Sequence, residues 1–470
     1  MSSMNSKSAV LRRLAVVAAF LTLLASSPLG AANIVLVNLD PPGFGLNDPT
    51  PVAPVGGNPG TTIGAQRVNV YNLAAQLWGA TLDSNATVFV GATFQPLACT
   101  STGGTLGAAG ATFIFRDFPG AAFPLTWYHS ALADALAGFD LNPGQIDIIS
   151  FFNSDIDDND PNCLTGRTWY YGYDNNEGTD IDFLSVVLHE IAHGLGFSNF
   201  ANEATGTLAG GLPDIYTKFS LDLTLGKTWD VMTVAERQFS AVNSGNVVWN
   251  GSAVTAEAPF VLGPRPSVKV LNPKSIAGSY EAQTASYGPP LQGGGGTTGK
   301  MVVVNDGVGA PADGCEPIQN NLNGKIALID RGTCAFVVKT LNAQAAGAKG
   351  VIVVNNVAAG LPSMGGATPD ATIPSVGVSL ADGTAMKNAA QGNSVSKLIL
   401  DDEFLAGTNQ GFVRLYAPNP VAPGSSGSHW DTSASPNLLM EPFISSDLES
   451  ATTRDLTPAL FADIGWILLP

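Results

Sequence analysis

The chain has 470 residues, 45% of them hydrophobic, more than one core usually absorbs, so two or more domains are expected. Its formal net charge of −17 argues against nucleic acids and anionic membranes as partners. Only 13% of residues are charged, and 53 Gly and 31 Pro point to a loop-rich extracellular protein kept soluble by its acidity.

Lys7, Arg12 and Arg13 precede an uncharged run over residues 14–26 and the small residues Gly30, Ala31 and Ala32. That is the pattern of a cleavable secretory signal over residues 1–31, and its apolar run is shorter than the ~20 residues a membrane-spanning helix needs. Its removal takes away three cations and no acids, which moves the net charge to −20. No later segment reads as transmembrane, so the expected location is secreted, extracellular or periplasmic. Four cysteines in an exported chain imply two disulfides, with Cys99–Cys163 and Cys315–Cys334 the pairs nearest in sequence, although sequence alone leaves three pairings open.

A short apolar stretch at 34–37 leads through a Pro/Gly-rich loop into a helical pattern carried by Val68, Tyr71, Leu73, Ala74, Leu77 and Trp78. Strands are predicted at 86–92 and 146–152. Next comes an acidic stretch, Asp155, Asp157, Asp158 and Asp160, which reads either as a Ca2+ site or as a solvated loop; it lacks the glycine and terminal glutamate of a calcium loop. Residues 180–195 form the clearest helix, capped by Asp180 or Asp182, apolar at Leu184, Val187, Leu188 and Ile191, and stopped by Gly194 and Gly196. From 264 to 400 the texture becomes β-rich, with strands at 301–304, 325–329 and 350–354 and a helix at 339–348. A Pro/Gly/Ser linker at 417–428 precedes a closing helix with Leu456, Leu460, Phe461 and Ile464 on one face.

The helix at 180–195 carries His189-Glu190-x-x-His193. Histidines four apart share a helix face, so both can offer a ring nitrogen to one zinc ion ~2 Å away. Glu190 beside them can take a proton from a water and pass it to a leaving amine, the general-base role of peptide hydrolysis. Two imidazoles and a carboxylate buried on an apolar helix call for a compensating dication. A catalytic zinc needs a third protein ligand. Gly196 provides the turn away from the helix, but the next position expected to hold histidine holds Asn199, a poor zinc ligand; of the remaining histidines, His129 and His429, the second is the better candidate. His129, after Trp127 and Tyr128, reads as a structural histidine and Met232 as a core residue. No Gly-x-Ser-x-Gly elbow is present, so a serine hydrolase has no support.

Ser428-His429-Trp430-Asp431, then Leu439-Met440-x-Pro442 and finally Asp463-Ile464-Gly465-Trp466, resemble the third-ligand, Met-turn and terminal-helix segments of leishmanolysin-like metzincins. The resemblance covers residues 60–263 and 401–470. It implies that His189, His193 and His429 bind one zinc, that Glu190 is the base and that Met440 sits beneath the metal as the Met-turn residue. Leu438 stands where the family commonly has an acid, and the interval from His193 to His429 is long. That interval holds Gly324-Lys325-Ile326-Ala327-Leu328-Ile329-Asp330-Arg331-Gly332-x-Cys334-x-Phe336 and Ala345-Ala346-Gly347-Ala348-x-Gly350, which resemble a protease-associated (PA) domain, a non-catalytic module thought to gate access or bind protein substrates.

The expectation is therefore an α+β chain in which a metzincin-like (zincin) catalytic domain, 32–263 and 401–470, is interrupted by a β-rich α/β PA domain at 264–400. The expected activity is a secreted zinc endopeptidase acting on protein or peptide substrates. The alternative is a non-catalytic extracellular binding or adhesion protein that uses the PA domain beside a vestigial zinc site.

Overall fold

The structure, a computed structural model, describes residues 30–157, 161–358, 360–445, 448 and 455–470. The expected secretory signal lies outside these residues apart from Gly30 and Ala31, as do Asp158 and Asp160. The chain divides into two compact units. The first takes the described residues up to Asn202, Thr207–Phe219 and those from Phe443 onward; the second takes Glu203–Gly206 and Ser220–Pro442.

In the first unit, β1 (Ile34–Asn38), β2 (Val88–Gln95), β3 (Gly107–Ala111) and β4 (Ile148–Asn153) form one sheet in the order β1-β2-β4-β3. β1, β2 and β4 run parallel, while β3 is antiparallel to β4 and forms an edge. Parallel neighbours need a crossover, and α1 (Ile63–Gly79), capped by the Thr62 hydroxyl on Ala65 N at 3.1 Å, supplies it between β1 and β2. α2 (Phe183–Leu195) packs alongside: the Trp78 indole of α1 donates to the Leu188 carbonyl at 3.0 Å.

Both ends of α2 are pinned. The Asp182 carboxylate accepts Leu184 N at 3.3 Å and Ser185 N at 3.1 Å, whereas Asp180 is taken up by Thr168 N at 3.0 Å, so the helix starts at 183 rather than 180. Phe183 meets Phe152, Trp169 and Tyr171 edge-on, contacts worth about 0.5–1.5 kcal/mol per pair beyond burial. Near the other end the helix rests directly on β4: a Cβ at Gly194 would lie 2.2 Å from Ile148 Cγ2. Trp466, just past the C-terminal helix Thr457–Ile464, donates its indole N–H to Leu195 O at 2.9 Å. The Cys99–Cys163 pair is formed.

The acidic stretch does different work from the calcium site considered above. Asp157 accepts the buried Arg67 guanidinium at 2.9 Å, Trp169 N at 3.0 Å and the Tyr171 hydroxyl, and Asp155 accepts the Ser154 hydroxyl at 3.1 Å. These donors use the oxygens that calcium would need. Neither residue belongs to a metal-suited group among the described residues, so calcium near Asp155 and Asp157 finds no support.

In the second unit, a five-stranded antiparallel sheet joins Ser220–Asp222, Lys227–Thr228 and Val247–Trp249 to Thr408–Asn409 and Phe412–Arg414. A larger sheet contains β5 (Pro264–Asn272), β6 (Gly278–Glu281), β7 (Gln283–Thr284), β8 (Thr297–Val303), β9 (Ile326–Asp330), β10 (Gly350–Val354), β11 (Ser375–Val378) and β12 (Val395–Leu405). Their order is β6-β5-β12-β8-β9-β10-β11-β7. β8 to β11 run parallel, and α3 (Phe336–Ala345) and α4 (Leu380–Ala390) are the helices of this region. Alternation along β9 sends Ile326 and Leu328 into one apolar cluster and Ala327 and Ile329 into another, and Ile352 and Val351 of β10 divide the same way. The sheet is thus buried on both faces, as parallel strands require. Cys315–Cys334 is also formed, and no free cysteine remains. No helix among the described residues is long and apolar enough to cross a membrane.

Candidate metal centre

The helix period does what the spacing of four predicts: Nε2 of His189 and Nε2 of His193 lie 3.0 Å apart, with the ring planes at 82°. Nδ1 of His193 is 2.8 Å from Phe197 O. A carbonyl only accepts, so the ring proton sits on Nδ1 and the lone pair on Nε2. Gly196 makes this possible. Its φ of +133° reverses the chain after Leu195 and brings the Phe197 carbonyl back to the ring. A Cβ there would stand 2.5 Å from Ile464 Cδ1.

Glu190 is 5% exposed, and its Oε2 has no hydrogen-bond partner. Burial pushes its carboxyl up to about 8. Its other oxygen faces β3: a Cβ on Gly107 would lie 2.7 Å from Oε1 and 3.0 Å from Cγ and Cδ. Gly107 escaped sequence reasoning. A glycine inside a strand can mark such a close approach, but β3 reads Gly-Ala-Ala-Gly-Ala and has no apolar alternation to announce a strand.

These residues fit a zinc ion. Two nitrogens each about 2.0–2.1 Å from a tetrahedral zinc are separated by roughly 3.3 Å, close to the observed pair. A His193 lone pair facing the His189 ring nitrogen and a buried Glu190 oxygen without a donor are an arrangement that a dication relieves.

The Asn199 side-chain oxygen accepts Ala201 N at 2.8 Å, a local turn rather than a ligand position. His129 is fully buried, with Nε2 2.8 Å from the Ser198 hydroxyl and its ring 4.4 Å from that of Phe200. Burial holds its imidazole down at about 3, so it stays neutral, the structural role expected of it. Met232 is buried and its carbonyl accepts Arg237, consistent with a core residue.

His429 belongs to the second unit and is 5% exposed there. Its Nδ1 lies 2.8 Å from Ser425 O, which puts the ring proton on Nδ1 and a lone pair on Nε2, the same tautomer as His193. The next residue anchors the loop: Trp430 is fully buried, packs edge-on to Trp249, and donates its backbone N–H to the carbonyl of Met440 at 2.9 Å. Met440 is itself fully buried.

Among known proteins, the chain is similar to a probable leucine aminopeptidase 2 of Aspergillus fumigatus, 37% identical over 25% of this chain and 23% of that protein. It is also similar to vacuolar-sorting receptor 1 of Pisum sativum, 29% identical over 29% of this chain and 23% of the receptor. The chain thus spans about a quarter of the length of these relatives. Among solved structures, an aminopeptidase from Aneurinibacillus sp. strain AM-1 matches at 26% identity and a TM-score of 0.24, covering 30% of this chain and 31% of that one. Residues 297–386, which run from β8 into α4, match the family model of the PA domain, so the second unit carries a PA domain.

Proposed function

We propose that the chain is an exported zinc-dependent endopeptidase of the metzincin type, with zinc held by His189, His193 and His429, Glu190 as general base and Met440 beneath the metal. The observation that carries this reading is the pair of Nε2 atoms 3.0 Å apart beside a buried Glu190 oxygen without a donor. Zinc, when bound, supplies a Lewis acid that acidifies water and takes up negative charge from a carbonyl oxygen. Glu190 takes the proton of the attacking water on its side-chain carboxylate and delivers it to the leaving amine nitrogen. The carbonyls of Phe197 and Ser425 hold the His193 and His429 rings in the ligating tautomer, an outer-shell role. β3 is an edge strand, and an extended polypeptide added along such an edge by main-chain hydrogen bonds would pass Gly107 and therefore Glu190. That route has no need of a free substrate terminus, which favours internal cleavage of proteins or peptides. Both disulfides support export to an oxidising compartment, extracellular or periplasmic. The domain plan that follows is a catalytic chain over 32–263 and 401–470 with the PA module over 264–400 between.

The likeness to a vacuolar-sorting receptor favours a second reading, an extracellular binding protein that uses the PA domain without catalysis. A purely structural or vestigial zinc site has no use for a buried base. Zinc content and casein cleavage, measured on wild type, Glu190→Ala and His429→Ala, separate the two. The protease reading expects Glu190→Ala to keep its zinc and lose activity, and His429→Ala to lose both. A zinc-loaded wild type that leaves casein intact sinks it.

A further inference from the structure

The loop between β8 and β9 gathers three carboxylates that the zinc reading leaves unused. Asp306, Asp313 and Glu316 each bring an oxygen to within 4.8 Å of the others. A second observation points to a ligand: Asp306 is 1% exposed, and its Oδ2 has no hydrogen-bond partner. The rest of that residue is satisfied, since Oδ1 accepts Val308 N at 3.2 Å and its carbonyl accepts the Gln319 amide at 2.9 Å. Oδ2 is the acceptor left over. Lys339 of α3 is fully buried nearby, and its ammonium donates to the Asp313 carbonyl and lies 3.4 Å from Cys315 Sγ. Asp330, a fourth carboxylate acting on Lys339, is paired with Lys387 at 2.7 Å, so the three carboxylates against this one ammonium leave two negative charges, the amount a divalent cation neutralises. All the donors are hard oxygens, which suit calcium rather than zinc.

We propose that Asp306, Asp313 and Glu316 bind one hard divalent cation of the calcium type in the PA domain, at the loop tied by the Cys315–Cys334 disulfide. The site is independent of the zinc centre. The cation would tie three points of the loop between β8 and β9 to one another, beside the Cys315–Cys334 disulfide.

The test is equilibrium dialysis of the zinc-loaded full chain against radioactive calcium, with Tm followed in the presence and absence of calcium. Wild type and Glu190→Ala should each bind one calcium and melt higher in its presence. Because calcium affinity follows the number of charged ligands, Glu316→Gln should bind about tenfold more weakly or worse, and Asp306→Asn should lose the site. A wild type that binds no calcium overturns the proposal, as does undiminished binding in folded Asp306→Asn. Should Asp306→Asn fail to fold, Glu316→Gln decides, because that side chain is only half-buried and its replacement leaves the core in place.

Discussion

Gly107→Ala is the sharpest probe of the assigned base, because it adds a single methyl whose three nearest atoms would all belong to the Glu190 side chain. The new Cβ would stand 2.7 Å from Oε1 and 3.0 Å from Cδ, closer than carbon tolerates. Either the carboxylate moves by several tenths of an ångström or β3 does. The backbone of Gly107 lies outside the positive-φ region, so alanine itself is not strained, and the reduced freedom of the unfolded chain returns about 0.4–1 kcal/mol. Against that stands an overpacking cost of about 1–3 kcal/mol. The net loss of stability should therefore be small, on the order of 1–2 kcal/mol, and the protein should remain folded. Activity should suffer more, since a catalytic group displaced by ~1 Å costs about 100-fold, and a shift of several tenths should cost roughly 10-fold or more in kcat.

The assay is kcat and KM on a quenched-fluorescent peptide, with zinc content and Tm measured on the same preparations. Zinc content should be unchanged, because the closest contacts of the added methyl are all with Glu190. Glu190→Gln provides the floor, removing the ~10²–10⁴-fold that a general base contributes. If Gly107 acts only through Glu190, then Gly107→Ala should add almost nothing in the Glu190→Gln background, a coupling that a cycle of the four proteins measures. A zinc-loaded Gly107→Ala protein within twofold of wild type would refute the placement of the base. So would an equal fractional loss in both backgrounds.

Gly196→Ala should impair both fold and metal: it forces an L residue to φ +133° against Ile464, a strain of about 1–3 kcal/mol, and disturbs the Phe197 carbonyl on His193. Loss of such an outer-shell partner costs about 10–100-fold in zinc affinity, measurable by competition with a chromogenic chelator. Asp157→Ala should destabilise the chain by about 3–5 kcal/mol in a urea titration, because it strands the buried Arg67 guanidinium, and added calcium should not rescue it through this residue. His129 sets part of the acid limit: its folded pKa of about 3 lies below the ordinary 6.5, so its contribution is whole above pH 6.5 and is lost as the pH falls from there towards 3. Each unit in that window costs about 1.4 kcal/mol, and His129→Gln should flatten the acid side of a Tm-against-pH curve.

What was legible in the sequence follows from how distance along the chain becomes distance in space. Four residues on a helix are one turn, so His189 and His193 were readable as partners at once, as was Glu190 beside them. The apolar runs at 325–329 and 350–354 were readable as strands, whereas the burial of both faces of their sheet became visible only in the fold. Cysteine pairing by proximity also matched the structure, with separations of 64 and 19 residues. Long-range partners carry no such period. Asp157 looked like one of a row of solvated or calcium-binding acids because Arg67, which claims it, lies 90 residues earlier in α1. Gly107 was silent for the same reason, since its meaning depends on Glu190 in another element. The acids of the β8–β9 loop are spaced seven and three apart, which would put them on one face of a helix, but the loop is not helical, and only the fold turns them into a cluster. Local periodicity thus specifies the histidine pair and the core, whereas the groups that surround Glu190, support α2 and gather charge in the PA domain become readable only once the elements are packed.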